Sequence, residues 1–445
     1  MKKVVVVGGG VAAKGFASAA LALHDNIEVT IIKNEKRSPV PCGIPYAFGT
    51  LKDANDNISS DQGLIDNGLK LVINDVTEID RENKTVTLKD DSKVNYDKLV
   101  ISTGSLPVLP PFKGINLEGI HVIKKDLDDV VELRKKVEAA KSIVIVGGGF
   151  IGVELADEIK KLGNKNITLV ELAPHVLNVA FESDISEEIE ANLTKKDIRI
   201  ATGIAVESFK GNEKVEKVVL NNGEELDADI VFLSIGAYPN TKLADACGLK
   251  VERAGVIVDD FQKTSDESIF AIGDCASKQD LFSDDYSRVR LASIAAKEGR
   301  NAAYNLFENK RVLAPVGICN LFSTYIDGKY YAATGMTKAQ CEAAGFEVIQ
   351  IEQSAHDRHP ITLPNTRKID GKFFFDKESM LLLGAQLSGP QLVAEVINSV
   401  GIAVQNKATA YDIYAYNYAS HPMGTASPNK YIMHQAGLKA LKVIK

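Results

Sequence analysis

One pattern of apolar and polar positions occurs twice along this chain. Val4-Val5-Val6-Val7 is a short unbroken apolar run, the mark of a strand covered on both faces. It ends in Gly8-Gly9-Gly10-Val11-Ala12-Ala13, after which the spacing predicts a helix over Lys14 to Leu23 and a second strand over Val29 to Ile32. Ser142 to Val146 opens the same series: Gly147-Gly148-Gly149-Phe150-Ile151-Gly152, a predicted helix from Val153 to Leu162, then a strand from Ile167 to Val170. The copies also close alike, one on Leu99-Val100-Ile101-Ser102-Thr103-Gly104 and the other on Ile230-Val231-Phe232-Leu233-Ser234-Ile235-Gly236. Strand, turn, helix, strand units build parallel sheets, so the expected fold class is α/β. From about Leu313 the texture changes, and Lys372 to Phe375 and Met380 to Gly384 read as antiparallel strands of a third domain.

Each glycine turn has a physical purpose, because a pyrophosphate can approach the backbone and the positive helix N-terminus only where no side chain intervenes. The fingerprint is Gly8, Gly10 and Ala13 in the first copy and Gly147, Gly149 and Gly152 in the second. Two Rossmann-like dinucleotide sites are therefore expected. In the second copy Glu171 ends the second strand, where an acid accepts hydrogen bonds from an adenosine ribose, and Leu172-Ala173-Pro174 offers no arginine for a 2′-phosphate. NADH is favoured over NADPH on that reading; a solvated strand-end glutamate is the other. The first copy departs from the rule: Lys33 and Asn34 follow the strand, and the nearest acid is Glu35.

Composition narrows the class. A chain of 445 residues with 45% apolar content can bury several cores, and a net charge of -7 with no basic block argues against nucleic acid. Met1-Lys2-Lys3 leads straight into Val4, so neither a secretory signal nor a membrane span is expected. Five cysteines, Cys42, Cys247, Cys275, Cys319 and Cys341, lack metal-ligand spacing, which suits a reducing cytoplasm and no metal site.

Further motifs make the resemblance specific. Ser268-Ile269-Phe270-Ala271-Ile272-Gly273-Asp274-Cys275-Ala276 is similar to the second FAD motif of the pyridine nucleotide-disulfide oxidoreductases, and Ser102-Thr103-Gly104 and Gly236-Ala237-Tyr238-Pro239-Asn240 resemble their two domain-junction motifs. The resemblance implies an FAD-binding domain over 1–112 and 237–312, an NAD-binding domain over 113–236 and a C-terminal α+β dimerisation domain over 313–445, acting as a homodimer. It implies that Asp274 holds the flavin's ribityl chain, that Leu291-Ala292-Ser293 lies at the flavin ring, and that Glu154 lies near the nicotinamide. Helix core is the alternative for Leu291 and Ala292. Gly8, Gly10, Ala12, Ala13, Lys33, Glu35, Val76, Ser102, Thr103 and Gly104 complete the expected FAD set, and Gly147, Gly149, Phe150, Ile151, Gly152, Glu171 and Gly236 the NAD set.

The remaining chemistry turns on Val40-Pro41-Cys42-Gly43-Ile44-Pro45-Tyr46, with a single cysteine between a strand and a predicted helix. It resembles the single-cysteine branch, which contains coenzyme A-disulfide, persulfide and polysulfide reductases and NADH oxidases and peroxidases. A helix N-terminus and a flavin would both favour a Cys42 thiolate, although a lone cysteine is often an inert buried residue. Val11 stands where the oxidases and peroxidases of the branch carry a histidine, so disulfide, persulfide or polysulfide is the expected acceptor and oxygen or peroxide the alternative. A non-catalytic FAD-bound module is a third reading. The other four cysteines read as structural. Tyr418-Ala419-Ser420-His421-Pro422 resembles the family's interface segment, and the resemblance makes His421 and the nearby Tyr416 and Tyr418 catalytic candidates; a plain surface histidine is the alternative for His421.

Overall fold

A computed structural model of the chain describes residues 1–308 and 317–443. The expected domain change at 312–313 lies outside the described residues. The chain divides into two compact units, Met1–Ala140 with Phe232–Asp280 and Asp284–Ile318, and Lys141–Val231 with Leu281–Ser283 and Cys319–Lys445.

In the first unit Lys2–Val7 is the centre of a five-stranded parallel sheet, flanked by Ile27–Lys33 and then Lys70–Ile73 on one side, and by Lys98–Ile101 and then Ile269–Ala271 on the other. The valine run is unbroken because both faces are covered: Val4 and Val6 share a core with Ala13 and Phe16, while Val5 and Val7 share another with Ile79, Val86 and Leu249, which lie outside the sheet. The helix Val11–Leu23 begins three residues earlier than periodicity predicts, immediately at the glycine turn. It crosses the helix Ala292–Tyr304 so closely that a Cβ on Gly299 would lie 2.5 Å from the Ala12 carbonyl oxygen. The chain leaves the central strand to one side and later returns to the other. That makes the carboxyl ends of Lys2–Val7 and Lys98–Ile101 a topological switch point, where open α/β sheets form their ligand crevice.

The second unit repeats the device. Ser142–Val146 pairs in parallel with Asn166–Val170, which pairs with Ile198–Ala201, and the helix Phe150–Lys160 follows the turn. Its C-terminal portion is a five-stranded antiparallel sheet in the order Leu321–Ile326, Lys329–Gly335, Leu382–Gly389, Lys368–Asp376, Val348–His356. The helices Val393–Gln405 and Ile432–Val443 cover it over a core that includes Phe373, Phe375, Leu387, Val400 and Met433. The strand expected over 380–384 begins only at Leu382, because Met380 turns the chain at φ +59°. Among the described residues no helix is long and apolar enough to cross a membrane.

Candidate functional site

At the first switch point Gly8 has φ +112°, and a Cβ there would come within 2.1 Å of the Ser102 carbonyl oxygen, so only glycine lets the turn pass. Gly10, in extended conformation, caps the helix without a side-chain hydrogen bond, and a Cβ on it would meet nothing within 4 Å. The first-turn N–H groups above it are thus open to an anion. Gly104, at φ +69°, borders equally open space, while Ala12 and Ala13 are buried beneath the turn. This open cradle of backbone donors fits the pyrophosphate of a dinucleotide such as FAD.

The Asp274 loop lies against the same helix, where a Cβ on Gly273 would be 2.9 Å from the Ala12 Cβ. Asp274 Oδ2 accepts from Ser105 Oγ at 2.8 Å and from Lys125 Nζ at 3.2 Å. Burial opposes its ionisation, but Lys125 and Ser105 outweigh that and hold the carboxyl below its ordinary range. Two residues that carry no motif fix the loop from behind. Glu298 Oε2 accepts from the Gly273 N–H at 2.7 Å, and Lys278 Nζ donates to the Gly273 and Ala276 carbonyls at 2.6 and 3.1 Å. Both side chains are buried and lie 3.2 Å apart. The two junction motifs also meet here, since Thr103 Oγ1 donates to the Asn240 carbonyl at 2.6 Å and Asn240 N–H to that of Gly104 at 2.9 Å. Gly236, expected with the NAD residues, belongs to this first unit. Leu291 and Ala292 are half-buried and Ser293 exposed at the start of the helix Ala292–Tyr304, rather than in its core. Val76 is half-buried at the start of the strand Val76–Asp80.

Lys33, expected in the FAD set, has its side chain committed within the protein. Its amine is buried, 2.6 Å from Asp61 Oδ2 and 2.7 Å from Ser38 Oγ, with Lys14 on the other carboxylate oxygen of Asp61 at 2.7 Å. Glu35, hydrogen-bonded by Ser38 Oγ at 3.0 Å, is the acid beside the turn, since a Cβ on Gly9 would lie 2.7 Å from its Oε1.

The helix expected after Cys42 does not form. Pro41–Gly43 and Pro45–Phe48 are short 3-10 turns, because Pro41 and Pro45 lack the N–H that an α-helix needs and Gly43 weakens it further. The α-helix N-terminus expected beside the thiol is therefore absent from this segment. Rigidity comes instead from Asn57, which is buried and exchanges hydrogen bonds with Val40, its carbonyl accepting at 2.9 Å and its Nδ2 donating at 3.1 Å. Arg134 pins the following residues by donating to the Ala47 and Leu51 carbonyls at 2.9 and 2.8 Å. Among the five cysteines only Cys42 is exposed. Burial raises the thiols of Cys275 and Cys247 and pushes that of Cys341 up to about 12, which leaves them protonated and inert at neutral pH.

In the second unit Gly147 has φ +107° and Gly149 caps its helix over open space, with Phe150 and Ile151 leading into the buried Gly152. Glu171 accepts from the N–H of Gly148 at 2.5 Å and of Ala173 at 2.6 Å, so it shapes the turn as well as bordering it. Glu154 Oε1 accepts from Thr324 Oγ1 at 2.7 Å, and burial pushes its carboxyl up to about 7 even though that hydrogen bond pulls the other way. Beside it the Phe150 and Phe322 rings lie 4.7 Å apart. Thr324 lies 170 residues from Glu154, and no local pattern announces it.

The C-terminal candidates differ among themselves. Tyr418 donates its hydroxyl to the Ile413 carbonyl at 3.0 Å, its ring stacks on Tyr431 at 4.2 Å, and burial raises its pKa, so it is committed within its own unit. Tyr416 and His421 are exposed, with His421 Nδ1 accepting from the Met423 N–H at 3.2 Å.

Known proteins resemble this chain over most of its length. Residues 2–299 match the family described as pyridine nucleotide-disulphide oxidoreductase, and residues 324–430 match its dimerisation domain. The chain is 32% identical to an NADH oxidase of Enterococcus faecalis, over 94% of this chain and 95% of that one. It is 30% identical to an NAD(P)H coenzyme A polysulfide/persulfide reductase of Pyrococcus horikoshii, over 89% of each. A solved NAD-dependent persulfide reductase from A. fulgidus superposes with a TM-score of 0.91 at 27% identity, covering 99% of this chain and 83% of that one.

Proposed function

The chain belongs to the pyridine nucleotide-disulphide oxidoreductase family, and from that premise we propose that it is an NADH-dependent flavoenzyme that reduces a disulfide, persulfide or polysulfide through Cys42. Its net reaction would be NADH plus a proton plus a disulfide giving NAD⁺ and two thiols. Bound FAD would supply the two-electron relay between nicotinamide and sulfur. In this reading 1–112 and 237–312 carry FAD, 113–236 carries NADH, and 313–445 forms the contact of a cytoplasmic homodimer.

The observation that carries the reading is the exposure of Cys42 on a turn held by Asn57 and Arg134, in the unit that also presents the open Gly10 cradle. The rigid turn presents the sulfur for attack on the acceptor, and the mixed disulfide so formed is resolved by reduction. The Gly8–Gly10 turn, the Ser102–Gly104 junction and Asp274 hold FAD. Gly149, Glu154 and Glu171 orient NADH, with Tyr416 and His421 as the exposed acid candidates of the last domain.

Oxygen is the second acceptor to consider, favoured by the 32% identity to an NADH oxidase. One experiment separates the two: anaerobic protein is reduced with NADH and then mixed in turn with coenzyme A disulfide, polysulfide, peroxide and oxygen while reoxidation is followed. Reoxidation fastest with a sulfur acceptor is expected; fastest with oxygen would replace this reading with the oxidase one.

A further inference from the structure

Arg290 has no place in the motifs that define this fold, yet it immediately precedes Leu291-Ala292-Ser293 and the helix Ala292–Tyr304. Its side chain is half-buried, and the two ends of the guanidinium differ. Nη1 donates to the Arg288 carbonyl at 2.9 Å on the exposed side, whereas Nε is buried and has no hydrogen-bond partner among the described residues. Leaving such a donor unmet is costly, the more so when the group is charged. A fold keeps it where a ligand atom completes the bond. Burial lowers the guanidinium's pKa, against the pull of Asp274, whose field therefore reaches it. Asp274 has its own cations in Lys125 and Lys278, which leaves the buried face of Arg290 available to another acceptor.

We propose that Arg290 is a flavin-tuning residue: its buried Nε–H donates to the pyrimidine edge of the bound flavin, and its charge favours the reduced form. The chemistry follows from balance. When nicotinamide gives up a hydride, two electrons and one proton pass to the flavin, NADH becomes NAD⁺, and negative charge gathers at the flavin's pyrimidine edge. A fixed cation there stabilises the product of that transfer more than its reactant, which raises the reduction potential. The inference rests on the proposed placement of FAD in this unit.

The test compares wild-type holoprotein with Arg290→Gln and Arg290→Lys, measuring the flavin's reduction potential by equilibration with a reference dye and FAD affinity by titration of apoprotein. Arg290→Gln is expected to lower the equilibrium constant for reduction about tenfold, equivalent to about 30 mV for a two-electron couple. Arg290→Lys should recover most of that shift, because it keeps the charge and changes only the geometry. An unchanged potential in the Gln variant overturns the proposal. So does an Arg290→Gln variant that folds by circular dichroism yet retains no FAD, since that would place the guanidinium on the pyrophosphate. A wild type that purifies without flavin would instead defeat the reading of the unit itself.

Discussion

The two glycine turns are near copies in backbone and opposites in the chemistry beside them. Gly8 and Gly147 have φ of +112° and +107°, and Gly10 and Gly149 each cap a helix over open space. Beyond that they diverge. Glu171 directly follows its strand and turns onto the Gly148 N–H, whereas Lys33 in the corresponding place is buried against Asp61 and Ser38, and the acid beside the turn is Glu35. The lesson is that the open turn is a local property of three glycines, while the group standing at the end of the second strand is set by tertiary contacts that a segment remote in sequence can rewrite.

The comparison is broken most severely at Gly8. Gly8→Ala puts a Cβ on the Ser102 carbonyl and an alanine at φ +112°, so a loss of about 4 kcal/mol in denaturant unfolding is expected, from strain and overpacking together. Gly10→Ala meets nothing, so it should keep its stability and lose FAD affinity instead. Equal stability of the two variants would contradict the distinction.

Asp61→Asn comes next. It takes from the buried Lys33 the carboxylate at 2.6 Å and leaves only Glu35, at 3.9 Å, and about 3 kcal/mol of stability should go, read from the same unfolding curves. Glu171→Gln, its counterpart at the other turn, removes a carboxylate whose partners are backbone N–H groups, and should cost under ~1.5 kcal/mol.

How far the sequence could be read follows the same division. The valine runs, both turns and the Glu171 position were legible because each depends on neighbours within a few residues. Asp61 on Lys33, Thr324 on Glu154, and the Lys278–Glu298 clasp on the Asp274 loop were not, because each joins segments with no shared periodicity. The 3-10 turns at Cys42 are legible in Pro41 and Pro45, which lack the N–H groups that the expected helix would need.

A smaller effect sharpens the ribose end. Glu171→Ala removes both a ribose acceptor and a charge that repels a 2′-phosphate, and the ratio of NADH to NADPH efficiency should fall about tenfold. An unchanged ratio would detach Glu171 from selectivity. Smallest is the pH dependence set by Glu154. Its carboxyl is neutral below about 7 and ionises as the pH rises through that value, so NAD⁺, whose nicotinamide is cationic, should bind about threefold more tightly above it than below. Glu154→Gln should flatten that profile, and a profile left intact would assign the titration to another group.

The most direct test of the whole account is stopped-flow reduction of Cys42→Ser, followed by turnover. Hydride transfer needs the two turns and not the thiol, so NADH should bleach the flavin at close to the wild-type rate. Turnover with disulfide, persulfide or polysulfide should fall at least ~10²-fold, since a serine hydroxyl neither attacks sulfur at neutral pH nor stores electrons. Sulfur reduction that survives intact in that variant would contradict the account.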